Sequence, residues 1–203
     1  MTHAIPSRGH TRWRRFAVML GVTGIAAAVM VTLTTQGVIA AQFALSGIPF
    51  TVTASELKGS GFEQFATLDQ MADNSPNAGD TGGQLVLVVS AIDTAQLTNL
   101  CQSIDLGGEF LKITAGTAGR PVSAKTLVVD SDLISGDASF NKINIGQDAS
   151  TLTSVPNVTG NLGVFGQQAD TVTITNLRQH NYATTAATFT LPDFHLSFTS
   201  DGC

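Results

Sequence analysis

The chain has 203 residues, of which 12% are charged and 6% aromatic, and a formal net charge of −5. That length fits one ordinary domain with a short targeting segment. Without residues 1–40 the balance is six Lys/Arg against fifteen Asp/Glu, a net charge of −9, which excludes nucleic acid as a partner and disfavours anionic lipid.

The first forty residues read as an export signal. Arg8, Arg12, Arg14 and Arg15 supply a basic start, "FAVMLGVTGIAAAVMVTL" an apolar stretch, and "GVIAAQF" small residues suited to cleavage after Ala40. The apolar stretch from Phe16 to Leu33 is 18 residues long, the lower limit for a bilayer span, so an uncleaved anchor is the alternative. The expected organisation is a signal peptide or N-terminal membrane anchor over 1–40 and an exported β-rich domain over 41–203. The protein is then secreted or attached to the outer face of the cytoplasmic membrane.

Beyond residue 41, strand candidates follow one another: "QFALSGIPFTVTA", "GQLVLVVSAI", "GEFLKITAG", "KTLVVDSDL", "ASFNKINIG", "TVTITNL", "TFTL" and "FHLSF". Most alternate apolar and polar residues with period two, the mark of half-buried strands. "GQLVLVVSAI" is apolar on both faces and reads as a central strand. Only "FEQFATLDQMAD" and "TAQLTNLCQSI" have a spacing that suits a helical turn. Gly- and Pro-rich turns separate the elements, and the apolar phase shift between Leu191 and Phe194 predicts a bulge or bend at Pro192–Asp193. The predicted class is all-β, an antiparallel sandwich or a curved-sheet or barrel domain. A short β-solenoid is the alternative, because Asn-apolar-x-Gln recurs at 99, 144 and 176. The uneven spacing makes similar strand exits the better reading.

Chemistry-bearing residues are sparse. Two cysteines, Cys101 and Cys203, allow one intramolecular disulfide in an oxidising compartment. Intermolecular pairing and a reactive thiol are the alternatives, but no base or cation lies near Cys101 in sequence to activate it. His195 stands two residues after Asp193 on an alternating strand, the raw material of a hydrolase triad. The simpler reading is an exposed polar pair. His180 reads as a loop residue, and Gly-x-Ser-x-Gly is absent. Asp130, Asp132 and Asp137 in "DSDLISGD" read as an Asp-rich turn, because Ile134 breaks the order of a calcium loop. No cofactor and no metal is expected. Phe189, Leu191, Phe194, Leu196 and Phe198 are candidates to line an apolar site, with ordinary core as the alternative.

Several stretches together resemble one family. Trp13 with Arg15–Phe16, "LKGSGFEQF", "NLCQS", "LKITAG", "PVSAKTLVVDSDLISGDASFNKINIG", "FGQQADTVTITNLRQHNYATTAATFTLPDF" and the final cysteine resemble the actinobacterial exported family of domain of unknown function 6230. The resemblance covers nearly the whole chain, with Phe65 in place of the family's usual Tyr. It implies a pairing of Cys101 with Cys203 and a neighbouring multi-spanning membrane protein as a partner. It also brings the label of cholesterol esterase, without catalytic residues to carry over. The expected function is a non-catalytic protein of the cell envelope that binds a lipid or a membrane partner. A lipid esterase using a serine with His195 and Asp193 is the first alternative, and a self-assembling structural envelope protein the second.

Overall fold

From Phe50 onward the alternating sequence folds into nine strands: β1 (Phe50–Gln70), β2 (Gln84–Thr98), β3 (Leu100–Asp105), β4 (Phe110–Ala115), β5 (Val122–Asn141), β6 (Asn144–Asp148), β7 (Phe165–Thr185), β8 (Thr188–Thr190) and β9 (His195–Thr199). The computed structural model describes residues 43–203. The expected signal or anchor segment over 1–40 lies outside them. Among the described residues there is no α-helix, and no helix long and apolar enough to cross a membrane.

All ladders between named strands are antiparallel, in the order β6-β7-β5-β2-β1-β3-β4-β9, with β8 beside β5. β7 also pairs with β1, so the sheet curls back on itself while β9 and β6 remain free ends of an open, curved sheet rather than a closed barrel. The antiparallel ladders rule out the β-solenoid, whose stacked coils would pair in parallel.

The long strands keep one face inward by breaking their own alternation along two transverse lines. In the first line the ladders place Lys142, Asp170, Gly61, Asp93 and Thr126 side by side on β5/β6, β7, β1, β2 and β5. Lys142, Gly61 and Thr126 have positive φ of 52°, 64° and 46°. In the second line Ser55 of β1 lies between Asn99 and Asn176, with φ of 53° and 54°. A left-handed residue rotates the chain so that the next side chain lands on the face its predecessor used. Inward residues stand three apart across each line: around the left-handed Thr126, Asn99 and Asn176 lie Ala124 and Leu127, Leu97 and Leu100, and Ile174 and Leu177, and their ladder neighbours Ala169 and Val172, Ile92 and Ala95, and Ala54 and Leu57 follow with ordinary φ.

The structure corrects the two helical expectations, and only the second, with Leu97 and Leu100 around Asn99, contains such a spacing. "FEQFATLDQMAD" is the second half of β1, and its Phe62 and Phe65 belong to cores on opposite faces of the sheet. "TAQLTNLCQSI" is the continuous run from β2 into β3, bent at Asn99. The Asp-rich stretch is likewise no turn, since β5 runs through it to Asn141, and His180 is in β7 rather than a loop. The bend at Pro192–Asp193 is present as a turn, with Asp193 at φ 55°.

The main core fills the concave side. A second core, around Phe65, Val89 and Ala91, lies under the 149–158 segment on the other face. Glu63, wholly buried there, accepts the Val155 N–H at 2.7 Å, and Gln168 Oε1 accepts the Thr153 and Ser154 N–H groups. These side chains stand in for a ladder partner, which that irregular backbone lacks.

Candidate functional site

The start of β1 with β3, β4 and β9 forms a wing whose two faces differ. On one face the ladder aligns Val52, Gln102, Ile113 and Leu196, and beside them Ile104, Leu111 and Phe198. Near the second bend this face is main core, with Leu100 and Ala115 buried. Moving outward it emerges into solvent: Val52 is 6% exposed, Leu196 47% and Phe198 67%. Phe194, just before β9, is also exposed. An apolar strip that runs from the core into solvent makes this face the candidate interaction surface.

The opposite face carries the C-terminal residues. Cys101 and Cys203 are bonded, with Cα atoms 5.9 Å apart. Cys203 N–H donates to Ser103 Oγ at 2.9 Å, Arg178 Nη1 donates to the Cys203 backbone oxygen at 2.9 Å, and Lys112 Nζ donates to the Gly202 oxygen at 3.3 Å. The tail thus ties β3, β4 and β7 together and leaves the apolar face free.

The candidates for an apolar lining separate. Leu191 packs against the main core, whereas Phe189, Phe194, Leu196 and Phe198 are exposed and none of the five lines the interior cavity. That cavity, about 210 Å3, lies between β1, β2, β5 and β7. Its walls are mostly apolar, with Gln64, Ser90 and Gln179 as inward polar groups. Sequence reasoning missed it because β5 reaches it only through register shifts around Ser131 and Ser135.

His195 and Asp193 are not joined. Asp193 precedes β9 in the turn and pairs with Arg120 at 3.0 Å, while His195 lies opposite Thr114 on the face with the disulfide. The Asp–His contact present is another one: His180 Nδ1 meets Asp132 Oδ1 at 2.7 Å, with Tyr182 edge-on to the imidazole. Burial, followed by the Asp132 charge and hydrogen bond, pushes the Tyr182 hydroxyl above its ordinary pKa. Asp137 accepts from Asn176 Nδ2 at 2.9 Å. Asp130 is pushed up to about 7, first by burial and then by the charge of Asp69. The three aspartates of "DSDLISGD" therefore have separate tasks, and no three His, Cys, Asp or Glu side chains among the described residues gather to hold a metal.

The chain belongs to the family of unknown function DUF6230, whose sequence profile matches residues 46–203. No curated protein and no solved structure matches it.

Proposed function

For this member of a family without an assigned activity, we propose an exported, non-catalytic domain that docks on uncharged lipid at the cell envelope through the apolar face of β4 and β9. The observation that carries this reading is the strip of Ile113, Leu111, Leu196 and Phe198, which continues the core outward from half-buried Ile113 and Leu111 to exposed Leu196 and Phe198. Burying such side chains in a lipid interface is favourable by roughly 25 cal/mol per Å2 of apolar area. The net charge of −9 over 41–203 selects zwitterionic or neutral lipid over anionic lipid. Asp193 held by Arg120 favours this reading over the esterase alternative. Flotation of the secreted protein with phosphatidylcholine vesicles tests it. Recovery in the lipid layer is expected, and recovery only in the aqueous layer contradicts it.

A further inference from the structure

We propose that the cavity between β1, β2, β5 and β7 is a second binding site, for a compact neutral molecule that is mostly apolar and carries one hydrogen-bonding oxygen. The site shares no lining residue with the lipid-docking strip of Ile113, Leu111, Leu196 and Phe198.

Volume sets the first limit. At about 210 Å3 the cavity exceeds a 150 Å3 hydrocarbon cavity known to hold benzene, and falls short of the roughly 300 Å3 at which drug-sized pockets begin. The walls set the second. Leu57, Phe62, Ile92 and Ile174 are apolar, and no charged side chain lines the space. An ion entering it would lose its hydration without a counter-charge, so the guest is neutral.

Unspent polar groups set the third. Gln179 is 7% exposed, faces the cavity, and its side chain makes no hydrogen bond to any described residue. A hydroxyl or carbonyl of a bound guest could take up that amide's hydrogen bonds. Gln167 Nε2 donates to Gln64 Oε1 at 2.6 Å, and Gln64 Nε2 donates to Ser90 Oγ at 2.9 Å. The Ser90 hydroxyl ends that relay and donates to no described residue. The Gln179 amide and the Ser90 hydroxyl thus give an otherwise apolar wall polar groups with bonding capacity to spare, which is what a polar anchor in an apolar slot requires.

Access comes from the β5 side, where Ser135, Gly136 and Ala138 line the cavity and are exposed to solvent. The register shift between Ser135 and Asp137 opens the ladder at this point.

Calorimetric titration of the secreted protein with 1-octanol, and with octanoate at pH 8, tests the proposal. Saturable binding of octanol and none of octanoate is expected. Gln179→Leu, which keeps the volume and removes the amide, should weaken octanol binding about tenfold, the loss of roughly one good hydrogen bond. Ala138→Phe, at the exposed mouth, should abolish it. This second variant keeps the test intact if Gln179→Leu fails to fold. A water-filled cavity with no saturable octanol binding, equal binding of octanoate, or undiminished affinity in Ala138→Phe would overturn it.

Discussion

Asn99 and Asn176 lie on opposite sides of Ser55, both in the left-handed region, and each is followed by a buried leucine, Leu100 and Leu177. Asn99 Nδ2 donates to Ser55 Oγ, which donates to the Thr98 carbonyl, while Asn176 Nδ2 reaches Asp137. Asparagine is among the few residues with a side chain that adopt positive φ readily, so the second bend is written into "NLCQ" and "NLRQ".

Replacing either asparagine by alanine should cost about 1–2 kcal/mol, from the left-handed strain of alanine and the lost hydrogen bond. Glycine at the same positions should cost less, because it adopts this backbone freely. Urea unfolding of the four variants checks the order.

The repeated Asn-apolar-x-Gln was visible in the sequence, but its meaning was not. Two copies mark one bend from both sides of β1, and the third, at Asn144, opens β6 beyond the other bend. Strand content was legible because Thr171–Leu177 and His195–Phe198 alternate plainly. Pairing was not legible, because β1 has β7 along one edge and β3 then β2 along the other, a choice made by contacts distant in sequence. Phase shifts inside the long strands went unread: Leu97 and Leu100, Ile174 and Leu177, and Ala124 and Leu127 each stand three apart around a left-handed residue, Asn99, Asn176 and Thr126. For the site, the exposed phenylalanines were named, but alternation alone assigns a face and not whether anything covers it. The cavity depends on β5 irregularities that no local pattern announces.

The Cys101–Cys203 bond closes a sequence separation of 102 residues. Its reduction, or Cys203→Ser, should lower stability by about 2–5 kcal/mol. Amide hydrogen exchange should rise first in β4 and β9, whose tether to β7 runs through the tail. Uniform protection throughout the reduced domain would contradict that role.

Asp130 carries a pKa pushed up to about 7, and burial also raises Asp69 and Glu63. These groups hold protons more firmly folded than unfolded. Stability therefore falls as pH rises from the ordinary carboxylate range through about 7, by an amount on the order of a few kcal/mol. Asp130→Asn should flatten the part of that slope between pH 5 and pH 8, measured as the thermal midpoint across the range.

Leu196→Ser with Phe198→Ser should change folding stability by less than about 1 kcal/mol, because both side chains are exposed. The same pair should lose flotation with phosphatidylcholine vesicles. A large loss of stability would instead assign these residues to packing.

Residues 41–203 contain no tryptophan, since Trp13 is the sole one in the chain. Phe198→Trp in a protein of residues 41–203 therefore places a reporter on the proposed docking face, and Val86→Trp, at a site 76% exposed on the β1–β2 hairpin, serves as its control. On adding phosphatidylcholine vesicles, the emission of Phe198→Trp should shift to shorter wavelength and be quenched by brominated acyl chains, while that of Val86→Trp stays unchanged. Unshifted emission at position 198, or an equal shift at both positions, would contradict docking through the β4–β9 face.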